Sequence, residues 1–118
     1  MTDKIVVLST CESAAEAREI ARRLVERRLA ACVSIVPSVT SVYHWKNAAG
    51  DNGIEESAEV LLIIKTARPL FRELSEELAR HHTYELPEII AVPLVDGSEA
   101  YLAWLDRELA HAPTEEQT

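Results

Sequence analysis

Cys32-Val33-Ser34-Ile35-Val36-Pro37-Ser38-Val39-Thr40-Ser41-Val42-Tyr43-His44-Trp45, followed after a polar loop by Glu55–Thr66 with its run Val60-Leu61-Leu62-Ile63-Ile64, decides the fold. In the first stretch small polar residues alternate with Val39, Val42 and the aromatics, a pattern that suits extended backbone. Pro37 has no N–H to give a strand ladder, so a bulge or an edge position is expected there. The second stretch ends in an apolar run suited to a strand covered on both faces. The loop Asn47–Gly53, with Gly50 and Gly53, joins the two as a hairpin. Fourteen residues at about 3.3 Å each reach roughly 45 Å, whereas a domain of this size has a radius of gyration near 13 Å. The hairpin must therefore project. A projecting ribbon carrying Tyr43 and Trp45 invites aggregation unless another chain pairs with it, which points to a closed assembly of identical copies.

Working outward, Lys4–Leu8 reads as a short buried strand. Ser13-Ala14-Ala15-Glu16 then has the form of a capping box. Ala14, Ala17, Ala21, Leu24 and Val25 recur at helical spacing and put one apolar stripe toward a sheet. On the far face Arg18, Arg22, Arg23, Arg27 and Arg28 are interrupted by Glu19 and Glu26, a solvated surface with Glu19 and Arg23 as an i,i+4 pair. This helix is expected to end near Arg28. Pro69 suits the first turn of a second helix, with Leu70, Phe71, Leu74 and Leu78 buried and a stop by His82. Glu88–Val95 reads as a strand broken by Pro93, Asp96-Gly97 as a turn, and Ser98 as the cap of a last helix carrying Leu102, Leu105 and Leu109. Strand, helix, strand, strand, helix, strand plus an added helix is the α+β, ferredoxin-like split β-α-β arrangement with a long projecting hairpin. Residues 1–112 are expected to form its single domain and 113–118 a flexible acidic tail.

The chain has 118 residues, 47% of them hydrophobic, a formal charge of −8 and a pI near 4.9. That acidity argues against a nucleic-acid partner, whose phosphates require lysine and arginine. The longest apolar run, Ile89–Val95, is far short of the roughly 18 residues that cross a bilayer, so no membrane role is expected. Met1–Thr10 lacks the layout of a secretion signal, and two cysteines in such a chain are expected to remain thiols; a cytoplasmic protein is the expectation. There is no phosphate-binding glycine motif and no pair of zinc-ligand pairs. No enzyme signature is present. An acyl-phosphate hydrolase on the same fold would need an anion-binding glycine loop, which is missing.

Chemistry concentrates in His81-His82-Thr83-Tyr84-Glu85-Leu86-Pro87-Glu88, two imidazoles, a phenol and two carboxylates between a helix and a strand. Imidazole with a carboxylate suits copper, zinc or nickel. Neighbouring residues on a helix diverge by about 100°, so the two histidines would not share one ion and at most one is a candidate ligand; the weightier reading is that both suit the negative end of a helix and cap its free carbonyls. Cys11 is placed after the first strand at a helix start, where a thiol becomes more acidic and more open to soft metals. Cys32 reads as a buried, inert thiol. Tyr43 and Trp45 read as subunit contacts bordering a cleft.

Leu29-Ala30-Ala31-Cys32-Val33-Ser34-Ile35-Val36-Pro37 through Ser41–Lys46 as one motif, then Glu59–Thr66, His82–Ala91 and Tyr101–Leu105, make four ordered motifs within Lys4–Leu109 that resemble the CutA divalent-cation-tolerance proteins. The resemblance implies a homotrimer related in architecture to the PII signalling proteins, whose hairpins pair across subunits. It also implies a role in tolerance to divalent metal ions, with copper and other cations such as zinc as the bound species and no established reaction. His81 sits at a position linked to metal in relatives, and His81, Glu59 and Cys11 are the candidate donors. Where the family commonly reads His-Pro-Tyr this chain has Thr83 for the proline, so the turn is expected to be less rigid. Some members carry cysteine at the position of Ser9; here the sulfur is two residues on, at Cys11. The alternative function is a regulatory or scaffold trimer binding a small molecule or a partner protein in clefts between subunits.

Overall fold

A computed structural model describes residues 2–46 and 49–110; part of the hairpin loop and the whole acidic tail lie outside the described residues. The element order is β1 (Lys4–Cys11), α1 (Ala14–Glu26), β2 (Cys32–Lys46), β3 (Asn52–Ala67), a 3₁₀ turn (Arg68–Leu70), α2 (Phe71–His81), β4 (Ile90–Pro93) and α3 (Glu99–Glu108). The strands form one sheet in the order β2-β3-β1-β4, with every neighbouring pair antiparallel. This is the α+β, ferredoxin-like arrangement read from the sequence. The hairpin is longer than that reading gave it, because β3 begins at Asn52 and takes in Gly53. It stretches the subunit to 55 × 32 × 26 Å with a radius of gyration of 16.2 Å, against about 13 Å for a compact chain of this length.

Alternation along the strands divides the sheet into two faces. Ile5, Val7, Cys11, Val60, Leu62 and Ile64 point to the side covered by α1 and α2, where they meet Ala17, Ile20, Leu24, Leu74 and Leu78 in one core. The opposite face carries Val6, Leu8, Leu61 and Ile63 only partly covered, with Ile90 and Val92 exposed beside them. The bulge expected at Pro37 is present: pairing shifts between Val36 and Val39, and Ser38 adopts a φ of 63°. The fourth strand is shorter than the Glu88–Val95 reading, pairing with β1 only through Ile90–Pro93.

Helix α1 starts as its sequence dictates, with the Ser13 hydroxyl accepting the Glu16 N–H. Its buried stripe is Ala17, Ile20, Ala21 and Leu24, while Val25 is 42% exposed. The helix ends at Glu26, and Arg28 takes the left-handed position that glycine usually fills (φ 57°), with Arg28 N–H on Val25 O and Leu29 N–H on Leu24 O. The arginine face is not purely solvated. Arg23, expected to pair with Glu19, instead lies 3.8 Å from Glu77 of α2. Arg27 joins both Glu77 and Glu73. Arg80 adds a bond to Glu77 at 2.6 Å.

Glu77 is thus a buried carboxylate, its side chain 4% exposed, surrounded by arginines. Burial pulls its pKa up, but Arg27 first and then Arg80 and His81 outweigh that and hold it below the usual carboxylate value. A depressed carboxyl stabilises the fold above its unfolded-state pKa of about 4.3, and that contribution disappears as pH falls through the lower native value. Urea titrations should find Glu77→Gln less stable than the parent by about 1–3 kcal/mol at pH 7. The gap should narrow steadily once the pH drops below about 4.3.

Candidate functional site

Beside the distal half of the hairpin lies a trough of about 590 Å³, walled by β3 from Glu55 to Glu59, by Tyr43 of β2, by Thr10 and Glu12 at the end of β1, and by Tyr84, Leu86 and Glu88 of the segment before β4. Five of these are glutamates, so the trough is strongly anionic. Its two phenols are anchored. Tyr43 shares a hydrogen bond with Ser57 (2.7 Å), and the Tyr84 hydroxyl donates to Glu59 Oε2 (2.7 Å). Burial and then Glu59 push the Tyr84 phenol above its ordinary pKa, so it holds its proton.

Glu59 therefore sits in the trough, as a cation donor would require, but with one oxygen already taken. His81 is elsewhere: it closes α2, and its Nε2 lies 3.1 Å from Glu77 Oε2 on the helical layer. Cys11 also stands apart. The expectation of a loop thiol activated by a helix start fails, because Cys11 is the last residue of β1, paired opposite Val60 and fully buried among core side chains. Burial, with Glu16 and Glu59 adding to it, pushes its thiol up to about 12, the reverse of activation. Ser9 is likewise fully buried on the helix side, its hydroxyl without a partner among the described residues. The structure does not gather His81, Glu59 and Cys11 into one ligand set, and among the described residues no three His, Cys, Asp or Glu side chains converge to hold an ion.

The residue that sequence reasoning passed over is His82. Its ring is wholly buried. Nδ1 accepts the Tyr84 N–H (3.1 Å), which leaves the proton on Nε2 to be donated to the Thr10 carbonyl (2.7 Å). Glu16 completes the arrangement. Its side chain, 10% exposed, accepts the Glu12 N–H at one oxygen (3.1 Å) and the Thr83 N–H at the other (2.8 Å). Burial raises the Glu16 pKa, but its hydrogen bonds from Thr83 and from the Glu12 N–H outweigh it and hold the carboxyl low. The capping box announced Glu16; only tertiary folding could show that its second oxygen reaches Thr83.

A sequence profile of the CutA1 divalent ion tolerance proteins matches residues 5–108. The chain belongs to the CutA1 family. It is 46% identical over 100 residues to the divalent-cation tolerance protein CutA of Thermus thermophilus, covering 85% of this chain and 92% of that one. To the mouse protein CutA it is 46% identical over 96 residues, but it spans only 51% of that protein's length. The crystal structure of CutA from Xylella fastidiosa superposes with a TM-score of 0.85 at 37% identity, covering 92% of this chain and 100% of that one. A solved Archaeoglobus fulgidus relative, at 35% identity and a TM-score of 0.82 over 89% of this chain and 97% of its own, is called periplasmic. No helix among the described residues is long and apolar enough to cross a membrane.

With a pKa near 12, Cys11 holds on the order of a thousandfold less thiolate at pH 8 than an ordinary thiol of pKa about 8.5. Native protein treated with a thiol reagent at pH 8 should therefore leave Cys11 unlabelled over the time in which denatured protein reacts fully.

Proposed function

We propose that this CutA1-family chain forms a cytoplasmic homotrimer that binds divalent cations weakly in the Glu59 trough and so contributes to metal tolerance, acting by binding rather than catalysis. The observation carrying the reading is that trough: an anionic depression whose central carboxylate is partly buried and whose walls offer several further oxygens within one cleft. Carboxylates and phenols spread along a groove suit a labile divalent ion held through water better than a rigid cage. Copper and zinc favour nitrogen and sulfur, so an oxygen-lined trough is consistent with weak binding of either. His81 and Cys11 are kept as proposed donors to be tested, His81 through a site of its own beside Glu77. Both cysteines are free among the described residues, in keeping with a reducing compartment.

Support for the trimer comes from surface that a lone subunit leaves uncovered. The sheet face opposite α1 and α2 is only partly covered and largely apolar, the outer sides of β2 and β4 pair with no strand among the described residues, and Val42, Tyr43, Trp45 and Ile54 stand exposed on the distal hairpin. Exposed apolar area on this scale marks an association surface. The volume of the trough also lies within the roughly 300–1,000 Å³ of small-molecule sites, which favours, as a second reading, a trimer whose ligand is a metabolite.

Light scattering should give a mass about three times the 13.2 kDa of the chain; a monomer at micromolar concentration would refute the assembly. Calorimetric titration with copper and zinc should show micromolar-or-weaker binding that falls at least fivefold in Glu59→Gln. Equal affinity in His81→Ala and parent would remove His81, and a melting temperature raised by a metabolite but by neither metal would favour the second reading.

A further inference from the structure

We propose that Glu16 is a positioning residue that locks a clip across the trough, holding the His82–Tyr84 turn against β1 so that the Tyr84 hydroxyl stays seated on Glu59. The clip rests on the reading above in one respect, that Glu59 is the carboxylate a cation would use. Its geometry stands independently.

Glu16 is an unusual carboxylate. Its side chain is nine-tenths buried, and among the described residues no lysine or arginine pairs with it; the ring of His82 lies 3.9 Å away. That ring is neutral, because Nδ1 must present a lone pair to the Tyr84 N–H. Burying an ionised carboxyl on hydrogen bonds from Glu12 and Thr83 with no cationic side chain paired to it is costly, and what the cost secures is a link between three separate segments: the exit of β1 at Glu12, the first turn of α1, and Thr83. From Thr83 the chain of contacts continues. His82 grips Thr10 through Nε2–H and Tyr84 through Nδ1, the two rings lie 4.8 Å apart, and the phenol ends on Glu59. Every ring nitrogen and both Glu16 oxygens are occupied.

Thr83 explains why the device belongs to this chain. A proline at that position would have no N–H for Glu16 to accept and would stiffen the turn by its ring instead. Here the turn lacks proline, and the Glu16 bond supplies the missing restraint. A cation taking both Glu59 oxygens must displace the Tyr84 hydroxyl from Oε2, so the clip opposes such two-oxygen binding and limits how tightly the trough holds its ion.

The test uses the full chain as Glu16→Ala, Glu16→Gln, Thr83→Pro and the Glu16→Ala/Thr83→Pro double variant, at one fixed pH. Light scattering on each variant checks that assembly is retained. Amide exchange at Tyr84 and the ring-nitrogen resonances of His82 report the clip. Glu16→Ala should speed Tyr84 exchange at least tenfold and mix the His82 tautomers, with Glu16→Gln in between. In the Thr83→Pro background the same alanine change should have less than a third of that effect. Unchanged exchange and a single His82 tautomer in Glu16→Ala would overturn the proposal, as would an equal effect with proline present. Zinc calorimetry then separates clip from site: a loosened clip should raise zinc affinity at least threefold, and Glu59→Gln should abolish the gain. A loosened clip with unaltered zinc affinity would overturn the gating role. Zinc binding in no variant at all would refute the cation reading of the trough and the gating with it, leaving Glu16 as the lock of the turn. Should Glu16→Ala not fold, Glu16→Gln against Thr83→Pro carries the same comparison.

Discussion

Antiparallel pairing of two strands of 15 and 16 residues governs this molecule. Two helices can cover only the proximal part of such a ribbon, because α1 at 13 residues is about 20 Å long. The proximal strands therefore build a core, and the distal strands build surface. Backbone hydrogen bonds between β2 and β3 are satisfied along their length whether or not anything lies above them, so the ribbon stays extended without its own core. What it lacks is cover for its side chains. That imbalance produces the bare sheet face, the exposed aromatics and the trough formed where the chain before β4 folds beside the ribbon.

Charge is distributed to match. On the helical layer the arginines of α1 reach across to Glu77 and Glu73, tying the two helices together over the core. On the trough side the glutamates pair with no lysine or arginine among the described residues, and Glu59 is held instead by the Tyr84 phenol. The same residue type thus serves cohesion on one side and leaves a field for cations on the other. A salt bridge to arginine would have stabilised the trough but would also have neutralised it.

Features set by short-range patterning were legible in the sequence. Period-two alternation from Cys32 onward gave the hairpin, Pro37 gave the bulge, and Ser13 with Glu16 gave the start of α1, since each depends on residues adjacent to it. Misreadings arose where distant contacts decide. Assigning Val25 to the buried stripe and omitting Ile20 misjudged the rotation of α1 on the sheet by part of a turn. Cys11 was read as a loop thiol because the strand ladder with Val60 that extends β1 is not visible locally. His82 was passed over for His81 because its partner, the Thr10 carbonyl, is 72 positions away in the chain. Glu59 was legible as a candidate, but not the phenol that covers it.

The irregularity at Pro37–Ser38 has a final consequence. Three steps along β2, from Val36 to Val39, match two along β3, from Leu61 to Glu59, so the parity of every later side chain is inverted. Because of that extra residue the odd-numbered side chains, which share the helical side with Leu62 and Ile64 at Val33 and Ile35, come out beyond the bulge on the side of Glu59 and Glu55, which sets Tyr43 opposite Glu55. A deletion of one codon at this point would let the two strands pair without interruption, leaving Tyr43 opposite Glu55 but taking away the bend and added twist that aim the outer ribbon.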